Sequence, residues 1–512
     1  MKLAFFSFWT LWDLDYSIML EVIERELEHG HDITVYYCDN ACLACPSVKA
    51  NGIKYCLWCT TKLRKTLTLF SRKVNIIPLS SVKVDTRFEM PEVNWTLNDL
   101  CSVQSDGYHF CRSILSKEIS ISRNPFPDWN LYRSKLLPQF KDNLITYRRV
   151  VKILQEQNFD KVFVYNGRLS YTRAVFDACQ NCKVPINVFE FGCDLNHFYV
   201  YENHLPHDIR YNQHLFKELW NQAVRKDRKK AVDTACSFFT KRRNKTRTGV
   251  ILYTLDQQDN RLPENFDETF NNIVIYCSSE DEFVAVTDEW KHLWFADQLD
   301  AISQLIKSLE PEASAHKIKL YIRLHPNMLY QDKAYTQKYY ELKNSFTEVI
   351  PCESPVDSYY LLEKASKVVV FGSTIGMEAA FWKNPAILAD AAFYRGMNIA
   401  YEISSLQELK AALLSENKFI PDMEMVYACG YHYEVFGWPF QYVTHNGRDD
   451  VHFKNVLIMN CSKFILSAGW DLKWTLPLIA MLYRRVVRML KYYFYERICF
   501  KKYEKQSFSK GK

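Results

Sequence analysis

The sequence has no uninterrupted apolar run of about 18 residues, the length that a membrane-spanning helix requires. Its charges nearly balance, because 65 lysines and arginines oppose 59 aspartates and glutamates, leaving a net charge of +6. An excess this small does not indicate a nucleic-acid-binding protein. Repeats of solenoid period and low-complexity segments are also missing. These absences favour a globular chain of 512 residues with two large domains.

A secretory signal is also missing from the start of the chain. The first twelve residues contain one basic residue, Lys2, a short apolar run and no small-residue cleavage site. We therefore expect a cytoplasmic, reduced protein. On this interpretation most of the 16 cysteines are buried small hydrophobes, and a few bind metal.

Apolar runs alternate with helical stripes along both halves of the chain, which predicts two parallel sheets with right-handed crossovers. In the first half, Trp9–Tyr16 is expected to be a loop carrying Asp13 and Asp15. The strands predicted there are Leu3–Phe8, Ile33–Tyr37, Asp160–Tyr165 and Pro185–Glu190. Those predicted in the second half are Val250–Tyr253, Asn272–Cys277, Lys317–Leu324, Lys367–Phe371 and Pro385–Ala389.

An anion-binding turn is predicted where Lys367–Phe371 runs into Gly372-Ser373-Thr374 and a helix begins. Free main-chain N–H groups and the helix dipole favour an anion there. The hydroxyls of Ser373 and Thr374 can donate to phosphate oxygens, and Gly372 permits close approach of the main chain. The alternative is that Ser373 only caps the helix.

A second polar cluster follows the strand Lys317–Leu324. Pro326 ends the strand and directs His325 into the loop above the sheet, where the imidazole can bind a phosphate oxygen or assist a leaving group. Arg323 can add positive charge, and Asn327 completes the cluster. A structural role explains either cluster alone, but two strand ends in one domain favour a phosphate site.

These two motifs carry a family resemblance. The segments RLHPN, from Arg323, and VVVFGSTIGMEAAFWKNPAIL, from Val368, resemble bacterial capsule and lipopolysaccharide glycosyltransferases, including sialyl- and Kdo-transferases. Those enzymes hold the phosphate of a CMP-sugar with His-Pro and Ser/Thr motifs. Shorter similar stretches begin at Tyr165, Glu190 and Cys277, so the resemblance spans most of residues 1–470. It implies a nucleotide-sugar donor, CMP- or UDP-linked, and metal-independent catalysis.

The resemblance also implies an α/β fold of the GT-B type, with two Rossmann-like, doubly wound domains facing a cleft. We expect an N-terminal acceptor domain over residues 1–242, with a cysteine-rich insertion at 38–59. A donor domain follows over residues 243–430, and its boundary is placed near the basic stretch at 242–247. Residues 431–469 are expected to cross between the domains, and residues 470–512 form a basic aromatic tail.

Additional donor contacts are expected in the second domain. Ser278 and Ser279 follow a strand and can face donor phosphate or sugar, although three acids come directly after them. Glu378 lies one turn into the helix after the phosphate turn. It either accepts a hydrogen bond from a ribose hydroxyl or faces solvent.

The base that would deprotonate an acceptor hydroxyl is expected at strand ends of the first domain. The resemblance does not supply it, because the paired-acid-glycine motif of the family is not clear in this sequence. Asp13 and Asp194 are the preferred hypotheses, and structural capping is the alternative for both. The other acceptor-side residues predicted at these strand ends are Asp15, Asn166, Arg168, Glu190 and His197.

Two CxxC pairs, Cys42/Cys45 and Cys56/Cys59, are separated by ten residues. Four thiolates with this spacing can surround Zn²⁺ tetrahedrally. The pattern therefore predicts a structural zinc site, with buried free thiols as the alternative and an iron–sulfur cluster as a minor one.

The tail differs in composition from the rest of the chain. It combines aromatic and basic residues in a stretch too short and too charged to span a bilayer, and such a helix can lie in the headgroup plane of an anionic membrane. The alternative is a helix packed across both domains. The residues expected at the membrane are Trp474, Arg484, Arg485, Arg488, Lys491, Tyr492 and Tyr493.

These features together predict a glycosyltransferase that acts on a lipid-linked or surface polysaccharide of the capsule or O-antigen type. We expect it at the inner face of the cytoplasmic membrane, with no nucleic-acid partner. The alternatives are a polyol-phosphate transferase that uses a CDP-glycerol-like donor and a non-catalytic scaffold in glycan biosynthesis.

Overall fold

The computed structural model describes residues 1–39, 42, 45, 54–246, 252–447 and 450–458. The chain forms two compact units. The first contains Met1–Ile121, Phe126–Pro206 and the described residues from Gly437 onward, and the second contains Ser122–Pro125 and His207–Phe436. Both units are α/β, as predicted.

The described strands are short and mostly buried. In chain order they are β1 Lys2–Ser7, β2 Asp32–Tyr37, β3 Asn75–Pro78, β4 Lys161–Tyr165, β5 Ile186–Phe191, β6 His197–Glu202, β7 Asn271–Tyr276, β8 Ile318–Arg323, β9 Thr347–Ile350, β10 Lys367–Val370, β11 Ile387–Leu388, β12 Tyr401–Glu402, β13 Trp438–Pro439, β14 Val443–His445, β15 Val451–Phe453 and β16 Val456–Leu457.

The described helices lie between these strands. In chain order they are α1 Asp13–Glu28, α2 Lys54–Thr66, α3 Leu97–Ser102, α4 Arg112–Ser122, α5 Arg133–Glu156, α6 Ser170–Cys182, α7 Ile209–Arg243, α8 Gln298–Leu309, α9 Lys333–Tyr340, α10 Ser358–Lys364, α11 Ile375–Phe381, α12 Leu406–Leu414 and α13 Met423–Val435. Short 3-10 turns include Glu280–Glu282 and Pro326–Tyr330.

Each unit has a Rossmann-like sheet. In the first unit the strand order is β13-β6-β5-β4-β1-β2-β3, parallel from β5 to β3 and antiparallel at β6 and β13. The sheet of the second unit is parallel throughout, with the order β12-β11-β10-β7-β8-β9. The order reverses at β1/β4 and at β7/β10, so both sheets are doubly wound. Two Rossmann-like units in one chain give the GT-B type of architecture that was predicted.

Local sequence explains where several helices begin. Helices α8, α10, α12 and α13 each follow an Asp or Ser whose side chain accepts hydrogen bonds from main-chain N–H groups of the first turn. Apolar stripes then bury one face of each helix, and α8 places Ala301, Ile302 and Leu305 in the core. The parallel strands are hydrophobic on both faces because helices cover both faces of the sheet.

The chain returns to the first unit after Phe436. Strand β13 pairs with β6, and β14–β16 form a small antiparallel sheet. The buried carboxylate of Glu21 on α1 accepts hydrogen bonds from the N–H groups of Gln441, Tyr442 and Val443 at 2.8–3.1 Å. This contact fixes the returning segment to the first helix.

The division between the units differs from the predicted boundary near residue 242. It lies at Pro206/His207, so α7 belongs to the second unit. Three aromatic residues of α7, Phe216, Phe238 and Phe239, are buried in the core of that unit. The basic, polar surface of this helix suggested a linker, whereas its buried face determines where it packs.

Two local predictions are also corrected. The expected loop at Trp9–Tyr16 contains the start of α1, so Asp13 and Asp15 lie in the first helical turn, where acids favour the dipole. The strand expected at Val250–Tyr253 is not found in its described part, since Tyr253 lies in a turn.

The membrane residues predicted in the tail, from Trp474 to Tyr493, lie outside the described residues. Within the part of the chain that the structure describes, no helix is both long enough and apolar enough to cross a bilayer.

Candidate functional site

The doubly wound sheet of the second unit defines an edge where a ligand can bind. In such sheets ligands bind outside the carboxyl ends of the strands, where the strand order reverses. Here the reversal falls between β7 and β10, and β8 lies on the other side of β7. The segments after β7, β8 and β10 thus share one edge. Ser373 and His325 follow strands two positions apart, which corresponds to about 10 Å.

The turn after β10 is shaped by Gly372. This residue has φ +87°, and a Cβ built on it would lie 2.4 Å from the carbonyl oxygen of Ala391. Only glycine fits such a left-handed, tightly packed position. Gly376 is also restricted, because its Cβ would lie 2.2 Å from the hydroxyl of Tyr394. The two glycines hold the turn close to the segment after β11.

The polar groups of this turn are partly available to a ligand. The hydroxyl of Tyr394 donates to the carbonyl of Ser373 at 2.7 Å, which anchors the turn. Thr374 donates to Glu378 at 3.3 Å, and the oxygen of Ser373 accepts a long, 3.4 Å bond from the N–H of Ile375. In the described structure the main-chain N–H groups of Ser373 and Thr374 have no acceptor. Two N–H groups and the hydroxyl of Ser373 can therefore face an anion, and the hydroxyl of Thr374 can do so once it leaves Glu378.

His325 is a neutral hydrogen-bond donor. Burial, together with the positive charges of Arg323 and Arg242, lowers the pKa of His325 to about 4. Its Nδ1 accepts from the N–H of Asn327 at 3.1 Å, so the proton of the neutral ring lies on Nε2. The ring of Tyr253 packs edge-on against it, with centroids 4.9 Å apart. The ring is held in one orientation and presents an N–H group.

Arg323 and Asn327 hold the surrounding loops. The buried guanidinium of Arg323 donates to the carbonyls of Pro351 and Ser354, so both of its terminal nitrogens are engaged within the protein. Asn327 donates to Ser279 at 3.2 Å and to Glu282 at 2.7 Å. It is the main-chain N–H of Asn327 that holds the ring of His325.

The two serines after β7 are occupied within the protein. The N–H and hydroxyl of Ser278 donate to Gln298 at 2.8 and 3.3 Å. The buried hydroxyl of Ser279 donates to Asp281 at 2.6 Å. Asp281 also forms an ion pair with Arg123 at 2.7 Å. The acids that follow the serines are thus mostly internal rather than solvated, and Ser279 has a structural role.

Glu378 takes neither of the roles considered from sequence. It is fully buried, forms an ion pair with Arg242 at 3.2 Å, and accepts a short hydrogen bond from Tyr359. Burial opposes the charge of Arg242, but Glu378 and Tyr359 raise the pKa of this guanidinium above its usual value. Glu378 therefore joins α11 to α7 through Arg242 and to α10 through Tyr359.

A relay of two acids and one histidine, formed by Asp390, His292 and Glu280, lies at the same edge and was not predicted from the sequence. Nδ1 of His292 lies 2.8 Å from Asp390, and its Nε2 lies 3.5 Å from Glu280. Burial raises the pKa of Glu280 to about 7. Burial opposes protonation of His292, but the bond to Asp390 and the two acidic charges raise its pKa. No local signal marks this relay, since Asp390 lies 98 residues from His292.

Asp13 and Asp15 have different environments in the first unit. Asp13 is paired with the fully buried ammonium of Lys62. Asp15 accepts from the hydroxyl of Tyr165 at 2.8 Å. Burial and the negative charge of Glu190 raise the pKa of Asp15 to about 7, although the Tyr165 bond opposes the shift. Of the two acids, Asp15 has the pKa suited to proton transfer near neutrality.

The other acceptor-side residues surround Asp15 at the carboxyl edge of β4 and β5. Glu190 accepts from Asn166 at 2.7 Å, and burial raises its pKa. Asn166 has φ +59° and accepts from the N–H of Arg168, whose guanidinium donates to Ser120 at 2.8 Å. A cavity of about 20 Å³ opens beside Asp15, lined by Phe6, Ser7, Phe8, Trp9, Tyr16, Met19, Tyr165, Thr172 and Phe189. It has room for one water-sized group.

Asp194 and His197 lie together on the β5–β6 hairpin. Their side chains are 2.7 Å apart, and Asp194 also accepts from the N–H of Asn196 at 2.8 Å. Asp194 is thus held by His197, at the start of β6, and by the loop before it.

Cys42 and Cys59 of the cysteine-rich insertion have pKa values above that of a free thiol. Burial and a hydrogen bond to Cys38 raise the pKa of Cys42. Burial raises the pKa of Cys59, and the charges of Cys38 and Cys45 raise it further, although Thr10 opposes this by donating to its sulfur at 2.7 Å. Among the described residues, the four predicted ligands do not bring three ligand atoms within 4.8 Å of one another. A zinc ion would require these thiols to move inward and ionise.

Known structures resemble the chain only remotely. The beta Kdo 2,4 transferase of KpsC from Thermosulfurimonas dismutans is 14% identical, with a TM-score of 0.33 over 53% of this chain and 79% of that one. The beta Kdo 2,7 transferase of the same KpsC is 15% identical, with a TM-score of 0.32 over 62% and 87%. UDP-GlcNAc 2-epimerase from Methanocaldococcus jannaschii is 11% identical, with a TM-score of 0.27 over 85% and 98%.

No protein-family model and no curated protein matches the sequence. At identities of 11–15%, the function has to be inferred from the residues of this chain.

Proposed function

We propose that this protein is a glycosyltransferase that uses a nucleotide-sugar donor. The observation that carries the proposal is the shared edge of β7, β8 and β10. A glycine-dependent turn with two available N–H groups and the hydroxyl of Ser373 lies at one strand end, and a neutral His325 with a donor Nε2 lies at another. Both groups suit a phosphate, and the sheet order places the edge where Rossmann-like sheets bind nucleotides.

Donation to phosphate oxygens would serve the reaction itself. When the bond between the anomeric carbon and the phosphate oxygen breaks, negative charge develops on the leaving phosphate. Fixed N–H groups aimed at that charge stabilise the transition state without reorganising solvent. A neutral His325 remains a donor across the physiological pH range because its pKa is about 4. Ser373, Thr374 and His325 are the proposed phosphate contacts.

For the first unit we propose Asp15 as the base that accepts the proton of the acceptor hydroxyl. Its carboxylate is accessible to a water-sized cavity and has a pKa of about 7. The buried indole N–H of Trp9, which lines that cavity, has no hydrogen-bond partner among the described residues, so it can donate to the acceptor oxygen. Asp13 is a weaker choice because the buried ammonium of Lys62 holds it in an ion pair.

The remaining assignments concern the acceptor and its location. The tail combines cations with aromatic residues, which supports binding to an anionic membrane surface. A location at the membrane would suit an acceptor that is a lipid-linked glycan of the capsule or O-antigen type. The spacing of the two CxxC pairs supports structural Zn²⁺ at Cys42, Cys45, Cys56 and Cys59, and the thiols would draw together and ionise as the metal binds. The donor is a CMP- or UDP-sugar.

Calorimetric titration of nucleotides tests the donor site. The full chain is titrated with CMP, UDP and CDP-glycerol, alongside His325→Ala and the matched control His316→Ala. His316 is exposed and its ring lies 3.6 Å from the carboxylate of Glu312. His325→Ala should bind the nucleotide about 10- to 100-fold more weakly than the natural chain, because it loses a hydrogen bond to a charged phosphate. His316→Ala should bind the nucleotide as the natural chain does.

The outcomes separate the alternatives. Binding of CMP or UDP that depends on His325 supports the proposal. Turnover of CDP-glycerol but of no sugar nucleotide indicates a polyol-phosphate transferase. If no nucleotide binds, the chain is a scaffold and the proposal is wrong.

A further inference from the structure

The hairpin between β5 and β6 brings together three metal-ligand types that no role above explains. Cys193, Asp194 and His197 each place one ligand atom so that all three atoms lie within 4.8 Å of one another. The sulfur of Cys193 is 3.5 Å from Nδ1 of His197, and this nitrogen is 2.7 Å from Oδ1 of Asp194. Thiolate, imidazole and carboxylate are the usual ligands of zinc.

The distances between the three ligand atoms are close to those around a tetrahedrally coordinated zinc ion. With Zn–S near 2.3 Å and Zn–N near 2.05 Å, tetrahedral ligands lie about 3.5 Å apart, which is the separation of Cys193 and His197. Nitrogen and oxygen ligands at such a site lie about 3.3 Å apart, so the carboxylate has to move outward by roughly 0.6 Å. Its exposed fraction of 26% leaves space for that movement.

The main chain fixes the hairpin before any ion binds. The N–H of Gly192 donates to the carbonyl of His197 at 2.8 Å, and the N–H of Phe440 donates to Asn196 at 3.2 Å. On the other side His197 pairs with Pro439 of β13. A Cβ on Gly437, which has φ +102°, would lie 3.2 Å from the Cβ of His197, so the returning chain is tightly packed here. Ligands on such a braced loop lose little entropy on binding.

An ordinary ion pair between Asp194 and His197 explains their contact but not the thiol directed at the same nitrogen. We propose that Cys193, Asp194 and His197 bind one Zn²⁺ through Sγ, Oδ1 and Nδ1, with water in the fourth position. The thiol of Cys193 loses its proton to solvent, and His197 binds as neutral imidazole with its proton on Nε2. Each ion therefore releases at least one proton.

This site has a consequence for the first unit. The side chains of Asp194 and His197 are partly exposed, which gives an ion access from solvent. A zinc-bound Asp194 cannot serve as the catalytic base, which agrees with the choice of Asp15. The hairpin site uses none of the four cysteines in the CxxC pairs, so the two sites can be lost independently.

Zinc stoichiometry tests the proposal. The full chain, stripped with a chelator and reloaded, is compared with Cys193→Ala, His197→Ala and the control Cys182→Ala, a half-buried thiol on α6. Elemental analysis should find one equivalent less zinc in the first two variants and no change in the control. The Co²⁺-loaded natural chain should show a thiolate charge-transfer band that weakens by one thiolate in Cys193→Ala.

Folding and donor binding are measured alongside. Far-UV circular dichroism checks that the variants fold. If His197→Ala does not fold, His197→Gln replaces it in the zinc measurement. Nucleotide affinity should stay unchanged in Cys193→Ala, because the proposed phosphate contacts lie in the second unit. Equal zinc content in the natural chain, Cys193→Ala and Cys182→Ala would overturn the zinc site and leave the proposed transferase activity untouched.

Discussion

Two acids of one helical turn show how strongly burial and partners determine chemistry. Asp13 and Asp15 are two positions apart at the start of α1. One meets the ammonium of Lys62, whereas the other meets a phenol and the charge of a second carboxylate. The charge of Lys62 keeps Asp13 in an ion pair, while the surroundings of Asp15 favour its protonated form.

The raised pKa of Asp15 predicts a pH-dependent stability. The folded state holds the proton up to about pH 7, while the unfolded carboxyl has its usual value of 3.8. Between these values the folded state binds more protons, so stability falls as pH rises through this window. We expect Asp15→Asn to raise the free energy of unfolding at pH 8 by on the order of 2 kcal/mol. At pH 3 it should leave the free energy nearly unchanged.

Thermal unfolding across this pH range, combined with glycosyl-transfer assays, checks the prediction. Transfer by Asp15→Asn should fall at least about 100-fold if the carboxylate is the base. The control Asp13→Asn should destabilise at neutral pH instead, because it removes the negative charge that faces the buried ammonium of Lys62. Equal pH profiles for Asp15→Asn and the natural chain would contradict the assigned pKa.

Sequence reasoning located the residues near strand ends but not their partners. His325 and the Gly372 turn were found because a strand followed by Pro or Gly is a local pattern. The partners of Glu378 and His292 could not be found in this way. Arg242 and Asp390 reach them only after the strands assemble in the order of the sheet, and that order is not a local property.

At the scale of elements, alternating apolar strands and amphipathic helices were predictable because each strand is buried on both faces. The same reasoning placed a strand at Val250–Tyr253, where the described part forms a turn. A short apolar run in the sequence does not show whether the folded sheet has a free edge with which it could pair. Helix α7 was likewise assigned to the wrong unit, since its polar surface is visible in the sequence and its packing partner is not.

The turn between β10 and α11 can be tested with a matched pair of glycines. Gly372 and Gly396 both have positive φ, +87° and +85°, and both lie in the second unit. A Cβ at Gly372 would meet Ala391, whereas one at Gly396 would meet nothing within 4 Å. Gly396→Ala should therefore cost about 1–2 kcal/mol from backbone strain alone. Gly372→Ala should cost a further 1–3 kcal/mol or so from the steric clash.

Nucleotide titration distinguishes a general loss of stability from damage to the turn. Gly396→Ala should bind nucleotide as the natural chain does once both are folded. Gly372→Ala should bind at least about 10-fold more weakly, because the displaced N–H groups no longer face the phosphate. If both variants bind equally, the turn is not the phosphate site.

At the scale of the whole molecule, the chain leaves its first unit at Pro206 and returns to it at Gly437. The sequence predicted a late segment that crosses between domains. It did not predict that Glu21 on the first helix would bind the returning main chain, because the two lie about 420 residues apart. Composition identified the basic tail, whereas this long-range contact depends on the three-dimensional fold.

The tail leads to a prediction about where the protein resides. It contains Arg484, Arg485, Arg488, Lys491, Arg497, Lys501 and Lys502, interleaved with aromatic residues. Each basic residue near an anionic surface contributes about 1 kcal/mol. The full chain should co-sediment with vesicles that contain phosphatidylserine and stay in solution with phosphatidylcholine alone. Ending the chain at Trp470 should abolish this binding.

A variant of natural length shows whether vesicle binding depends on the charge of the tail or only on its presence. Replacing Arg484, Arg485 and Arg488 with glutamine removes about 3 kcal/mol of attraction, or roughly a 100-fold change in partitioning. Raising the salt from 0.1 to 1 M shortens the screening length from about 10 to about 3 Å, which should release the natural chain in the same way. Binding that survives both truncation and salt would show that the tail does not hold the protein on the membrane.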